Sequence, residues 1–312
     1  RGHPNLQYMN GWYSGNSKYT TIRAMHSYEG NICYCIEPGT AQETGDRYTS
    51  KDETFWDNLP AGFNSTISPY EMKLFIGRIM QYGYTGPIST SWRSQNSADA
   101  AALAEAMATQ VLIWETIVGE RDADFDHVSP GSYDAVKESV SAEHPLYSRF
   151  CSYYDSIVAS VQRHSTVPSF MSKNAYRAQS VELAWDGTNY TATLTDSNRV
   201  LSDYSFSANE DGISFSVSGN KLTITAANAP SGSGRILALS PPASKTGSTR
   251  RGIITWTDGR YAPGAGIQDV ISYAQSVSDP VQAFLNLKVS YGSAKIVKTS
   301  EDGKVDNLTF TV

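Results

Sequence analysis

The sequence predicts an α+β fold, a β-rich sandwich or barrel with an inserted all-helical subdomain. Segments with alternating apolar residues occur toward both ends of the chain, whereas the middle, about residues 66–168, repeats its apolar residues at helical spacing. Strands and helices do not alternate, so a βαβ crossover fold is the weaker interpretation. We therefore expect the helical block to interrupt two strand-rich parts that share one core.

Composition restricts the functional classes. Of the 312 residues, 40% are hydrophobic and 18% charged, which indicates a folded core rather than disorder. The net charge is −6, and basic residues cluster only at Arg250 and Arg251, which argues against a nucleic-acid partner. No apolar run appears long enough to span a membrane, so we expect no membrane insertion. The 19 tyrosines and 24 glycines are typical of a bacterial surface or secreted protein.

The first strands are predicted at residues 18–22 and 31–36, and a polar loop at 40–52 follows them. The helical block begins at Ser68, which combines a Ser N-cap with Pro69 at the first helical position and Glu71 three residues after the cap. Gly83 is the expected end of this helix.

Three further helices are predicted. One runs from about Ser97 to Gly119, one follows Ser132, and one ends before Pro168. The apolar face of the first of these consists of Leu103, Met107, Val111, Trp114 and Val118. The last is built on Leu146, Phe150, Tyr153, Tyr154, Ile157 and Val161.

Strand patterns return after the helical block. Residues 213–217 and 222–224 alternate in polarity around the turn residues Gly219 and Asn220, which predicts a hairpin. Further strands are predicted at residues 235–239, 252–256 and 284–289. We assign residues 1–292 to one domain, with the helical insertion at about 66–168, and residues 293–312 to a separate unit.

The chain has three cysteines, Cys33, Cys35 and Cys151. This number excludes a disulfide-rich scaffold, and without a CxxC pair we expect no metal site. A bridge between Cys33 and Cys35 would be strained, because the two face the same side of one strand. A disulfide between Cys33 and Cys151 and a free buried thiol are equally compatible with the sequence.

A polar side chain interrupts the apolar face of the second helix. Gln110 shares this face with Met107 and Trp114, and a buried amide without partners costs roughly 1–3 kcal/mol. The amide needs hydrogen bonds, or chemistry that removes its nitrogen. Cys35 could supply such chemistry, because a thiolate that attacks the glutamine carbonyl releases ammonia and leaves a thioester. The alternative is that Cys35 is a small buried hydrophobe and Gln110 a hydrogen-bonded core residue.

Two motifs favour the reactive interpretation. The segment Tyr-Cys-Ile-Glu-Pro-Gly at 34–39 and the segment Thr-Gln-x-x-Ile-Trp at 109–114 resemble the thioester domains of Gram-positive surface adhesins. The resemblance covers roughly residues 5–290. It implies a thioester between Cys35 and Gln110 at the junction of a β-rich and a helical part. The sequence departs from the family at Leu112, where Ala is common.

The resemblance also implies a function. Proteins of this family attach bacteria covalently to amines on host surfaces, so the expected partner is a host extracellular or cell-surface protein with a reactive lysine, and fibrinogen is one candidate. The expected location is the bacterial cell surface, with cell-wall anchoring through regions outside this chain. The protein would react once rather than turn over as an enzyme, and no cofactor is expected.

The last twenty residues carry a second resemblance. Residues 294–298 and 308–312 are predicted to form a hairpin around the turn at 299–303. It resembles the opening of a collagen-adhesin B-type domain, in which a lysine of the first strand forms an isopeptide bond. Lys298 occupies the matching position. The strand that would carry its partner lies outside this chain, so we expect no such bond here.

Five residues are candidates for supporting roles. Tyr34 and Trp114 would exclude water from the bond, and Thr109 belongs to the second motif. His26 would shuttle a proton, or is an ordinary hydrogen-bonded histidine. Glu37 would orient the site, although solvent exposure is the default expectation.

The sequence also contains one pattern that resembles a metal site, and it leaves two alternative functions open. Asp122, Asp124 and Asp126 alternate as in a calcium loop, but His127 stands where an EF-hand requires Gly, so we expect a solvated acidic turn. One alternative function is a non-covalent binding module without a thioester. The other is a cysteine hydrolase that uses Cys35 with His26.

Overall fold

The computed structural model describes the greater part of the chain. The described residues are 2–3, 7–9, 24–26, 31–38, 40, 48–51, 54–57, 67–89, 92, 99–128, 136–240, 253–257, 268–273 and 279–289. The predicted strand at 18–22 and the predicted unit at 293–312, with Lys298, lie outside these residues.

The chain forms two compact units. Unit 1 consists of Arg1–Thr166 and Ser240–Val281, and unit 2 of Val167–Leu239 and Gln282–Val312. The domain boundaries at 292 and 293 remain a prediction.

In unit 1, the described strands form a seven-stranded sheet in the order β1-β5-β12-β13-β4-β3-β2. Its strands are β1 (Gly2–His3), β2 (Gln7–Met9), β3 (Ala24–His26), β4 (Ile32–Cys35), β5 (Tyr48–Lys51), β12 (Ile253–Thr257) and β13 (Val270–Tyr273). Neighbouring strands are antiparallel, and Cys35 lies opposite Val270. The strand predicted at 31–36 is confirmed. The loop predicted at 40–52 is wrong over β5, because pairing with β12, distant in sequence, turns a polar segment into a strand and buries Tyr48.

The described residues of unit 1 also form four α-helices. They are α1 (Thr54–Asp57), α2 (Pro69–Tyr82), α3 (Ala100–Val118) and α4 (Tyr147–Ser165). The start of α2 is confirmed, since the Glu71 N–H donates to Ser68 Oγ at 3.2 Å and the Ser68 N–H donates to Glu71 Oε2 at 2.8 Å. Its end is confirmed at Gly83, whose N–H donates to the Ile79 carbonyl at 2.8 Å.

Helix α3 is buried on nearly all sides. By length and composition it could cross a membrane, so the expectation that no apolar run is long enough is wrong. However, 72% of its apolar 18-residue stretch is buried inside the protein. Burial of this kind is expected of a core helix. Val118 is 40% exposed, so the predicted apolar face ends one turn earlier, at Trp114.

The helix predicted after Ser132 is wrong in its described part. Only a 3-10 turn, Lys137–Ser139, precedes α4 between residues 136 and 146. Pro145 disfavours helical backbone at His144 and so separates this turn from α4.

Unit 2 contains a second seven-stranded sheet, in the order β8-β11-β14-β6-β7-β10-β9. Its strands are β6 (Ser180–Trp185), β7 (Tyr190–Thr195), β8 (Ser205–Ala208), β9 (Ile213–Ser218), β10 (Lys221–Ala226), β11 (Arg235–Leu239) and β14 (Gln282–Val289). β14 and β6 are parallel and the other pairs antiparallel. The predicted hairpin is confirmed as β9 and β10, with Gly219 in the left-handed region at φ 57°.

The predicted α+β class is confirmed, whereas the single shared core is wrong. The strands after the helical block divide between the two sheets, and the buried side chains of unit 2 form a cluster of their own. In unit 1, one cluster joins the helices to one face of β4, and a smaller cluster covers the other face.

An ion cluster joins α2 to α4 in unit 1. Arg78 Nε donates to Asp279 Oδ2 at 2.6 Å, and His164 Nε2 lies 3.2 Å from the same oxygen. Burial alone would raise the pKa of Asp279, but the hydrogen bonds from His164 and Arg78 and the charge of Arg78 lower it to about 2.

This lowered pKa predicts a specific loss of stability in acid. A carboxyl group whose folded pKa is lowered stabilises the fold fully above its unfolded pKa, near 4, and the contribution disappears as the pH falls toward 2. We expect Asp279→Asn to cost about 2 kcal/mol at pH 7 and progressively less below pH 4. Urea denaturation of both chains between about pH 7 and pH 2 measures the difference in their free energy of unfolding. A difference that does not depend on pH would contradict the expectation.

Candidate functional site

Strand β4 presents two different faces within unit 1. Ile32, Tyr34 and Ile36 belong to the cluster that contains the helices. Cys33 and Cys35 belong to the smaller cluster on the other face, together with the side chains of Tyr48, Trp256 and Val270. The predicted same-side placement of the two cysteines is therefore confirmed, and Cys35 is only 2% exposed.

Gln110 meets Cys35 across 75 residues of sequence. The backbone N–H of Cys35 donates to Gln110 Oε1 at 2.8 Å, and Gln110 Nε2 donates to the carbonyl oxygen of Cys35 at 2.9 Å. Gln110 is 2% exposed, so both polar ends of a buried amide are satisfied by one residue. The arrangement holds the carboxamide against the backbone of the cysteine.

Thr109 holds this part of α3 against the end of α2. Its hydroxyl donates to the Glu105 carbonyl at 2.8 Å and accepts from the Tyr84 N–H at 3.0 Å. The Tyr34 hydroxyl donates to the carbonyl of Tyr84 at 2.5 Å, so the same short segment contacts β4. Burial raises the pKa of Tyr34 well above its usual value. Tyr34 is thus a neutral packing residue.

The close approach at Gly83 leads to a prediction. A Cβ on Gly83 would overlap the hydroxyl of Thr109 and lie 2.8 Å from the Ile79 carbonyl oxygen, although φ −96° suits alanine. We expect Gly83→Ala to destabilise unit 1 by about 1–3 kcal/mol, as overpacking does. Urea denaturation measures the change.

Gly77 in α2 is the matched control for this substitution. A Cβ there meets nothing within 4 Å, so Gly77→Ala is expected to stabilise by about 0.5–1 kcal/mol through helix propensity. Equal effects at the two glycines would show that steric overlap at Gly83 is not the cause.

The sulfur of Cys35 lies in a buried, electrostatically unfavourable place for a thiolate. Burial, and to a smaller extent the carboxylates of Glu37 and Asp269, raise the pKa of Cys35 to about 12. The side chain of Trp114 and the N–H of Glu37, at 3.3 Å from Sγ, act in the opposite direction. The group is therefore a neutral thiol at pH 7.

Glu37 is buried, at 2% exposed, so the expectation of solvent exposure is wrong. The chain turns directly after β4, where the Thr40 N–H donates to the Glu37 carbonyl at 3.1 Å and Pro38 occupies the second turn position. Glu37 Oε2 accepts the N–H of Asp269 at 2.8 Å. The turn and this bond direct the side chain into the protein.

Asp269 is a residue near the thiol that the sequence did not reveal. It precedes β13, is fully buried, and its carbonyl accepts the Ile36 N–H at 3.1 Å. Its contact with Glu37 spans 232 residues, so no local pattern could have indicated it.

His26 lies on β3, next to β4, where its backbone pairs with Ile32. The structure does not describe its side chain, and proton shuttling by His26 remains a prediction. Among the described residues no disulfide joins the three cysteines, and Cys33 is buried and Cys151 partly buried. The Cys33–Cys151 disulfide is therefore not the alternative that the structure contains.

The acidic segment after α3 forms a turn. Asp122 Oδ1 accepts the N–H groups of Asp124 and Asp126 at 3.0 and 2.9 Å, and these two residues are exposed, which agrees with a solvated turn.

A second cluster lies at the end of α3. Glu115, Glu120 and His127 place possible ligand atoms within 4.8 Å of one another. Arg121 Nε donates to Glu115 Oε2 at 2.8 Å, so the chain itself supplies a positive charge there. We interpret the cluster as an ionic anchor for the helix, and the absence of a metal remains a prediction.

Comparisons with known proteins found one family match and similar solved structures. Residues 32–163 match the sequence model of the thioester domain family. The chain is similar to the thioester domain of the Staphylococcus aureus TIE protein, with 16% identity and a TM-score of 0.45, over 93% of this chain and 99% of that one. It is also similar to a cysteine-to-alanine variant of the pilus-presented adhesin Spy0125 (Cpa), with 12% identity and a TM-score of 0.28, over 92% and 80%. No curated protein matches the chain.

Proposed function

Because residues 32–163 match the sequence model of the thioester domain family, we propose that the chain is an adhesion module that forms an internal thioester between Cys35 and Gln110. The observation that carries the proposal is the pair of hydrogen bonds, at 2.8 and 2.9 Å, between the Gln110 carboxamide and the Cys35 backbone. They hold the carboxamide that is the proposed acyl group against the backbone of the residue whose sulfur is the proposed nucleophile.

The geometry supports the formation step. The thiol of Cys35 attacks the side-chain carbonyl carbon of Gln110, and the developing oxyanion faces the Cys35 N–H, which already contacts Oε1 at 2.8 Å. The thiol proton passes to the departing nitrogen, and ammonia leaves. A buried site slows hydrolysis of the product.

Attachment reverses the formation step, with a lysine amine in place of ammonia as the nucleophile. A lysine amine attacks the thioester carbonyl, the C–S bond breaks, and Gln110 becomes an amide of the partner while Cys35 recovers its proton. The protein reacts once. The proposed partner is a host extracellular or cell-surface protein with a reactive lysine, with fibrinogen as a candidate. The proposed location is the bacterial cell surface, with cell-wall anchoring through regions outside this chain.

Intact mass tests the thioester. We expect the purified chain to be lighter than its sequence by one ammonia and a Cys35→Ala variant to have its full sequence mass. Methylamine should convert the chain to an N-methyl amide, one methylene heavier than the unreacted carboxamide form. Full sequence mass in the unmodified chain, with no methylamine uptake, would contradict the proposal and favour a non-covalent binding module.

The cysteine hydrolase is the less favoured alternative. Such an enzyme needs a thiolate, and a Cys35 pKa of about 12 leaves very little thiolate at pH 7. An acyl group stored during folding does not need a permanently ionised thiol, because the reaction occurs once and slowly.

A further inference from the structure

If the proposed thioester forms, its opening by an amine creates a chemical problem at Cys35. When an amine displaces the sulfur, the electron pair of the C–S bond moves to Sγ, and a negative charge appears in a buried site. Glu37 and Asp269 are both buried and both act unfavourably on that charge. The site therefore needs donors directed at the sulfur, or the C–S bond will break slowly.

One donor is the backbone N–H of Glu37, which lies 3.3 Å from Cys35 Sγ. The turn at Glu37 fixes it, because the carbonyl of the same residue accepts the Thr40 N–H and its carboxylate accepts the Asp269 N–H. This donor is in place before any reaction.

The second donor is the indole N–H of Trp114. Trp114 follows Gln110 by one turn of α3 and packs against the cluster that contains Cys35. Its Nε1 atom is buried and makes no hydrogen bond of ordinary geometry within the described part of the chain. Its proximity lowers the pKa of the Cys35 thiol, against the larger effect of burial. A buried N–H without a satisfied partner is costly, which suggests that its partner forms during the reaction.

We propose that the indole N–H of Trp114 and the backbone N–H of Glu37 form a donor pair that receives the Cys35 thiolate as an amine displaces it from Gln110. This inference rests on the proposed thioester. The amine nitrogen gains a bond to the Gln110 carbonyl carbon, that carbon loses its bond to sulfur, and the proton lost by the amine ends on Sγ. No oxidant, reductant or further reactant is needed.

Trp114→Phe removes the N–H and keeps an aromatic ring. With the thioester formed, we expect the rate of methylamine uptake, followed by intact mass, to fall about tenfold or more, as when a donor to a developing charge is lost. A purely structural role predicts the opposite, because looser packing would admit methylamine and water and accelerate the loss of the thioester.

Trp256→Phe is the matched control. Trp256 belongs to the same cluster as Cys35, but its Nε1 donates to Ser272 Oγ at 2.8 Å. We expect its uptake rate to remain within about twofold of the unmodified chain, since its N–H is committed elsewhere.

A second measurement does not require thioester formation. In a Gln110→Glu chain, the alkylation rate of Cys35 at about pH 9 can be read from the Cys35 peptide. Adding Trp114→Phe should lower this rate about tenfold, because less thiolate is present. An unchanged or faster rate, or unchanged methylamine uptake in Trp114→Phe, would overturn the donor pair. Absence of any thioester in the unmodified chain would instead overturn the proposed function.

Discussion

A chain with Gln110→Glu is expected to take up no methylamine and to have its full sequence mass. A carboxylate at this position is not an acyl donor for a thiol, so the C–S bond does not form. The same variant is chemically identical to the hydrolysed form of the thioester chain, and it therefore also serves as the standard for spent protein.

The variant should also be less stable than the carboxamide form. Gln110 Nε2 donates to the Cys35 carbonyl at 2.9 Å, and a carboxylate oxygen would face that carbonyl without a proton. We expect a loss of about 1–3 kcal/mol, measured by urea denaturation against Cys35→Ala, which keeps the carboxamide.

Gln81→Glu in α2 is the matched control. Gln81 is also a buried helical glutamine, at 6% exposed, but it belongs to neither motif. The Gln81→Glu chain should lose stability and still take up methylamine. Uptake by Gln110→Glu, or loss of uptake in a folded Gln81→Glu chain, would place the acyl group elsewhere.

The second large effect is expected at the end of α3. Arg121 and Glu115 are 2% and 0% exposed, with Arg121 Nη2 at 2.7 Å from Glu115 Oε2, and the Tyr154 hydroxyl donates to Glu115 Oε1 at 2.8 Å. Arg121→Met keeps much of the volume but leaves the Glu115 carboxylate buried without its guanidinium. We expect a loss of about 3–5 kcal/mol in the urea unfolding of unit 1.

The double variant Glu115→Gln/Arg121→Met tests the cause. Removing both charges should recover most of the loss, because an amide at 115 can still accept from Tyr154. A double variant as unstable as Arg121→Met alone would indicate that lost packing, including the contact of Arg121 with the Phe125 ring, is responsible.

Features encoded in short segments were predictable. The start of α2 depends on Ser68, Pro69 and Glu71, which lie within four residues, and the hairpin of β9 and β10 on a local turn. Gln110 stood out because it interrupts an apolar helical face. Its contact with Cys35 followed from a resemblance rather than from periodicity.

Features that depend on distant pairing were not predictable. Glu37 is buried because a turn and the Asp269 N–H draw it inward. β5 is a strand because β12, some 200 residues later, pairs with it. The strands of the two sheets mix along the chain, so alternation alone could not show that β12 and β13 join the N-terminal strands whereas β11 and β14 do not.

The position of Gln110 has a mechanical consequence. If a ligand becomes bonded there, tension enters the protein midway along α3, a 19-residue helix held by buried contacts on both sides of the attachment point. Pulling the ligand away would require extracting this helix from its surroundings, rather than peeling an edge strand or straightening a loop. A tether at residue 110 should therefore resist shear far better than one placed on an exposed turn of the same chain.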